Sequence, residues 1–347
     1  GYWSKFGMRL PNIVSFTPWY NSASDIEEKV LNDKVDIINF FYFYEGDLPK
    51  ITQNVVNKIN QNNITCNIVL ASPIDYQKKA VKKLGINIKL CNFEEWLDFF
   101  ILFAYHNMHH HPNFYTNAKK YLNGYNYKFT IPYSCFNHRA KEHRVKLIDQ
   151  LAKEKILDKG LVSFLGAGDH NVKFKHYNGG VLKLGDNFDQ DHPYIFNKKY
   201  FESFLHVATE SWTENFFLTE KTTMRLLFGL PFLTLGCRHF HKKLEDMGFV
   251  LYDEIFDYSF DNARFLHTRI TGIVKNIHHV LNNDVNDMYQ KIKPALEQNR
   301  TLALEYVKGK SIPKSVRAQM ALSSVKTDRT GLDFDLYSMS LYLTSLQ

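Results

Sequence analysis

Residues 204–236, FLHVATESWTENFFLTEKTTMRLLFGLPFLTLG, hold two short apolar runs with a helix-like segment between them. That order points to a parallel strand–helix–strand unit. The first run, Phe204-Leu205-His206-Val207-Ala208, ends in Thr209-Glu210-Ser211, and the second, Pro231-Phe232-Leu233-Thr234-Leu235, ends at Gly236. Apolar runs of this length bounded by polar residues read as buried strands. Between them Met224, Leu226, Leu227 and Phe228 recur at helical spacing. Thr219 is a candidate N-cap, and Gly229 followed by Pro231 is a candidate stop. A helix that starts at the carboxyl end of a parallel strand presents free backbone N–H groups and the positive end of its dipole, which together favour anions. Lys221 adds a full positive charge in the first turn, and Glu210 and Glu220 add acceptors for hydroxyls. Phosphate donors beside hydroxyl acceptors suit a nucleotide-sugar.

Glu210, then Phe217-Leu218-Thr219-Glu220-Lys221, Gly229-Leu230-Pro231 and Gly236 follow one another in a recognisable order. The stretch resembles the donor-binding motif of the α1,3-fucosyltransferase family and its viral and bacterial relatives. The resemblance implies a GT-B fold: two Rossmann-like domains facing across a cleft, with the nucleotide-sugar held mainly by the C-terminal one. It implies that Glu220 contacts the sugar or ribose and that Lys221 contacts the pyrophosphate. The family's Ser-Phe-Glu-Asn is here Ala208-Thr209-Glu210-Ser211, which retains the Glu and leaves the donor base and sugar open. A second constellation, Asn137-His138-Arg139-Ala140-Lys141-Glu142-His143-Arg144, follows an apolar strand and resembles an Asn-x-Arg-x-x-x-His-Arg turn of viral glycosyltransferase-like sequences. If a helix begins near Ala140, Asn137 and either Arg139 or Arg144 reach the donor phosphates. Arg can fork two phosphate oxygens and stays charged.

The rest of the chain alternates in the same manner. Strands are expected at 12–16, 35–44, 64–70 and 86–90, and helices at 26–30, 51–59, 76–84 and 93–105. This alternation argues a parallel α/β domain over residues 1–125. Residues 108–126 read as a connecting loop. A second α/β domain over 126–310 opens with a strand at 128–136, a helix through Leu151 and a strand at 161–165, and residues 311–347 form a C-terminal extension. An inverting transfer needs a group to take the acceptor's proton, and a carboxylate is the usual choice. Glu45 and Asp47 follow the strongest strand of the first domain and Asp75 follows the next, so these three are the candidate bases, in that order. Glu94 and Glu95 read as helix-start acids.

The net charge of +7 fits an anionic donor, an acidic glycan, a membrane surface or DNA, and no run of five Lys or Arg that would read as a basic tail is visible in the sequence. Cys66, Cys91, Cys135 and Cys237 form no Cys-x-x-Cys and sit in apolar surroundings, so they read as buried reduced thiols of a cytoplasmic protein, host-cytoplasmic if the chain is viral. His106 and His109-His110-His111 read as a polar loop rather than a metal site. No apolar run is long enough to span a membrane. The leading expectation is a metal-independent glycosyltransferase that moves a sugar from a GDP- or UDP-sugar to a glycan or lipid-linked hydroxyl. A phage-type enzyme acting on hydroxymethylated DNA bases keeps the chemistry and changes the acceptor. A non-catalytic GT-B-like binding protein keeps only the fold.

Overall fold

The computed structural model describes residues 11–17, 21–42, 50–71, 75–110, 126–167, 173–178, 180–185 and 198–308. They form two units, one ending at Phe99 and one spanning Phe100–Val307. The sequence places the boundary after residue 125. In the structure it falls at the first turn of a helix, Phe99–His110, whose apolar start packs too well to serve as a linker.

In the first unit the order is β1 (Ile13–Phe16), α1 (Ala23–Asn32), β2 (Ile37–Tyr42), α2 (Gln53–Gln61), β3 (Thr65–Ala71), α3 (Asp75–Lys82) and β4 (Cys91–Trp96), and α4 (Phe99–His110) opens the second unit. The sheet runs β1-β2-β3-β4, all parallel. Each crossover therefore steps the same way, and right-handed crossovers put the helices on one face. Asn54 Nδ2 donates to Glu27 Oε1 at 2.7 Å, which sets α1 beside α2. Ser22 caps α1 with a reciprocal capping box to Asp25. Ile38, Phe40, Tyr42, Cys66, Ile68 and Leu70 alternate onto the helix-covered face and pack against Ile26, Val30, Val55 and Ile59. The opposite face carries a polar row that sequence periodicity does not announce. Ser15, Asn39, Asn67 and Asn92 lie in register on the four strands. Asn39 donates to Ser15 Oγ at 3.1 Å, Asn67 to Asn39 Oδ1 at 2.8 Å, and Asn92 to Asn67 Oδ1 at 2.7 Å.

The strand expected at 86–90 is a turn, and the fourth strand is Cys91–Trp96 instead. Gly85, at φ +76°, starts the turn, and Asn60 holds it by donating to Gly85 O and accepting from Asn87 N. Ile88 is left 86% exposed. Glu94 and Glu95 therefore lie on a strand, not at a helix start, and Glu95 pairs with Lys78 at 2.9 Å.

In the second unit follow β5 (Ile131–Arg139), α5 (Glu142–Lys153), β6 (Leu161–Ala167), a one-turn α6 (Lys198–Phe201), β7 (Ser203–Thr209), α7 (Glu220–Phe228), β8 (Phe232–Leu235), α8 (Phe240–Asp246), α9 (Leu266–Leu281) and α10 (Val285–Val307). The sheet runs β6-β5-β7-β8, again all parallel. The chain goes outward from β5 to β6, then returns to the other side of β5 as β7. The strand order therefore reverses between β5 and β7. In open α/β sheets ligands bind at the carboxyl ends of the strands at such a reversal. Every residue of β7 is buried, as a central parallel strand should be. The expected unit at 204–236 is present: Thr219 caps α7, and Gly229 ends it in the left-handed conformation at φ +62°. The protein is thus α/β with two parallel four-stranded sheets. Among the described residues no helix is long and apolar enough to cross a membrane.

Candidate functional site

The two sequence constellations meet at the carboxyl edge of β5 and β7. Strand β5 runs three residues further than the sequence suggests and carries Asn137, His138 and Arg139, with a register irregularity against β6. The helix starts at Glu142 rather than near Ala140. Asn137 is buried between strands. Its Oδ1 accepts from the Thr209 hydroxyl at 2.8 Å, and its Nδ2 donates to Ser163 O at 3.4 Å. Arg139 is exposed just beyond, and its guanidinium makes no hydrogen bond among the described residues.

Three side chains from the start of α5 clamp the end of β7. Arg144, buried, donates to Thr209 O at 3.1 Å and to Arg139 O at 3.4 Å. His143 Nε2 donates to Glu210 O at 2.8 Å. Lys141 Nζ donates to Ser211 O at 2.9 Å and lies 5.1 Å from the centre of the Trp212 ring. Burial, reinforced by the charges of Arg144, Lys141 and Arg269, holds the His143 pKa down at about 3, so its imidazole stays neutral and keeps a single N–H on the carbonyl. Arg144 therefore builds the edge, and Arg139 is the arginine left available at it.

Glu210 lies at the bottom of this edge. It is fully buried, and its carboxylate accepts from Thr219 N at 3.2 Å, the Thr219 hydroxyl at 2.6 Å and the Thr222 hydroxyl at 2.7 Å. Burial pushes its pKa up, against the pull of Lys221 and the two threonine hydroxyls. The acid thus braces residues 211–218 and the first turn of α7, and three of its roughly four acceptor positions are already used. Glu220 and Lys221 lie further out, 25% and 21% exposed, and pair with each other at 2.9 Å. Lys221 takes no other partner among the described residues, so it can turn to a ligand at the helix start.

Of the three candidate bases, Glu45 and Asp47 lie outside the described residues. Asp75 is exposed at the first position of α3. Sequence reasoning passes over Asp98, which sits just beyond the carboxyl end of β4, 7% exposed, with its pKa raised to about 6 by burial. It also passes over Arg269, in the first turn of α9, which donates from Nη1 to Gly236 O at 2.8 Å at the carboxyl end of β8. A charged residue on the apolar stripe of an amphipathic helix is the signal that could have found it.

All four cysteines are free, with Cys66, Cys135 and Cys237 buried and Cys91 half-buried. Among the described residues no group of three His, Cys, Asp or Glu is placed to hold a metal. His106 and His109–His110 fall on α4, where their side chains lie outside what is described. Comparison with protein-family models, with curated proteins and with solved structures finds no match.

Proposed function

We propose that the protein is a glycosyltransferase that binds a nucleoside diphosphate sugar at the carboxyl edge of β5, β7 and β8. One observation carries this reading. Two segments far apart in sequence, each with the residue types of a diphosphate site, are tied together by the His143, Arg144 and Lys141 clamps at the point where the strand order reverses. At that point the start of α7, Lys221 and Arg139 supply N–H groups and positive charge for the two phosphates. Glu220 supplies an acceptor for a ribose or sugar hydroxyl. In the transfer the acceptor oxygen bonds to the anomeric carbon while that carbon's bond to the diphosphate breaks. The nucleoside diphosphate leaves carrying the negative charge that Lys221 and Arg139 stabilise. A base takes the acceptor's proton, and Glu45, Asp47 and Asp75 are its candidates.

A thermal-shift screen with GDP, UDP, ADP and their sugar conjugates tests the reading, because a ligand bound only by the folded protein raises Tm by mass action. One nucleoside diphosphate family should stabilise the protein, and its sugar conjugate should then support transfer to a hydroxyl acceptor. No stabilisation by any of them sinks the proposal. Given a donor, Glu45→Gln should lower turnover about 10²–10⁴-fold with donor affinity unchanged. Normal turnover moves the assignment to Asp47 or Asp75.

A further inference from the structure

We infer that Arg269 is a phosphate-gripping residue of this edge, binding an oxyanion through the Nε and Nη2 side of its guanidinium. The argument begins on its helix. In α9 the buried residues are Arg269, Ile270, Ile273, Val274, Asn276, Ile277 and Val280. Arg269 stands on a stripe where an aliphatic residue would be ordinary, and it is 7% exposed. Buried charges are normally paired. Arg269 has no carboxylate within ion-pair distance among the described residues.

Its one hydrogen bond runs from Nη1 to Gly236 O. That bond suffices to tie α9 to β8 and leaves the other side of the group unexplained. Nε is buried with no hydrogen-bond partner, and Nη2 makes no bond among the described residues. In a guanidinium the Nε and Nη2 hydrogens point the same way, in the fork that matches two oxygens of a phosphate. A buried donor left unmade is costly, which is a reason for it to have a ligand.

The nearby acids do not fill the fork. The Asp261 carboxylate is committed to His241 Nδ1 at 2.8 Å and to the backbone N–H groups of His241 and Lys242, each at 3.1 Å. Glu214 acts on Arg269 only through space. The neighbouring cations add to the same field: Arg269, Arg144 and Lys141 all depress the protonation of His143, so Arg269 lies within charge reach of the end of β7. Arg225 makes the contrast. It is also fully buried without a carboxylate, but its Nη atoms bond Ser203 O, Tyr200 O and the hydroxyls of Ser134 and Ser203, and it stacks 4.1 Å from the Tyr200 ring. The Nε of Arg225, like that of Arg269, has no partner, but both Nη groups of Arg225 are answered by neutral oxygens, whereas Arg269 is answered at Nη1 alone. An oxyanion is the ligand that takes the other side. Its identity as a donor diphosphate rests on the transferase reading, whereas the oxyanion site does not.

The test is titration of the full chain with inorganic pyrophosphate, followed by the nucleoside diphosphate that the stability screen selects. Arg269→Gln and Arg269→Lys are compared with the unaltered protein. Both variants should bind pyrophosphate about tenfold to a hundredfold more weakly, the range for a charge-assisted bidentate contact. Loss of stability with unchanged pyrophosphate affinity overturns the proposal, because that is what a tie between α9 and β8 alone gives. If Arg269→Gln does not fold, tungstate in crystals of the unaltered protein decides: an anomalous peak against Nε and Nη2 of Arg269 supports the site, and tungstate elsewhere along the edge overturns it. Pyrophosphate binding that depends on Arg269, with no nucleotide binding, keeps this site and removes the transferase reading. Nucleotide binding that ignores Arg269 does the reverse.

Discussion

Glu210 and Lys221 are both charged and both belong to one motif, yet their surroundings separate their roles. The Glu210 carboxylate is shut away from water and holds three protein donors. Glu210→Gln replaces a charged acceptor by an amide whose NH2 must face a hydroxyl or N–H donor. Hydrogen bonds to charged groups contribute about 1.5–3 kcal/mol each, so the variant should unfold at clearly lower urea. Lys221 is 21% exposed and pairs only with its neighbour Glu220. Lys221→Ala should leave the urea midpoint nearly unchanged, since such partly exposed pairs contribute little. It should weaken nucleoside diphosphate binding about tenfold or more. Calorimetric titration of both variants reads the contrast. An unchanged affinity in Lys221→Ala removes Lys221 from the site, and a wild-type urea midpoint in Glu210→Gln removes the bracing role of Glu210.

At the scale of elements, β7, α7 and β8 were legible because each boundary has a local chemical cause: polar Thr209-Glu210 ends one strand, Thr219 caps the helix, and Gly229 takes the left-handed conformation that stops it. The shift of β4 from 86–90 to Cys91–Trp96 has no such local cause. Apolar Ile86, Ile88 and Leu90 advertise a strand, but Gly85 and the Asn60 hydrogen bonds turn the chain there, and pairing with β3 decides the register. That register also puts Asn92 into the row with Asn67 and Asn39, an arrangement readable only once the strands are aligned. Arg269 was missed for a similar reason, since its helix is distant in sequence from both motifs and joins them only through β8. The row is itself testable. Asn67→Leu removes the donor to Asn39 Oδ1, and Asn39 is fully buried. An orphaned buried acceptor costs about 1–3 kcal/mol, so the first unit should lose stability by that order. Hydrogen exchange at the β2 amides measures it, and unaltered exchange would mean that the row is filled in some other way.

For the molecule as a whole, two units with separate cores need not unfold together, so a single melting curve averages them. Acid separates them by charge. In the second unit burial holds His143 neutral, with its pKa at about 3, and pushes His206 well below the usual histidine range. In the first unit burial raises Asp98 to about 6. A histidine with a depressed folded pKa binds a proton in the unfolded chain first. Its contribution is therefore complete above pH 6.5 and is lost as pH falls from 6.5 toward about 3. Asp98 works the other way: its protonated form is favoured in the folded state, so its contribution is present below pH 3.8 and is lost as pH rises through about 6. Glu210, also raised, opposes the histidines within the second unit. The effect of His143 alone is isolated by His143→Gln, whose amide can still donate to Glu210 O. Each proton excluded from the folded state steepens stability by about 1.4 kcal/mol per pH unit. Hydrogen exchange at the Ser203–Thr209 amides, compared between pH 6.5 and pH 5, should therefore show a stability loss in the unaltered protein that is larger than in His143→Gln by about one proton's worth of slope. Donor affinity of the folded protein should hold over the same interval, because folded His143, with its pKa at about 3, stays neutral and keeps its clamp on Glu210 O down to pH 5. Equal slopes in the two proteins would mean that His143 takes up its proton without unfolding, and the clamp would then play no part in the acid sensitivity of the edge.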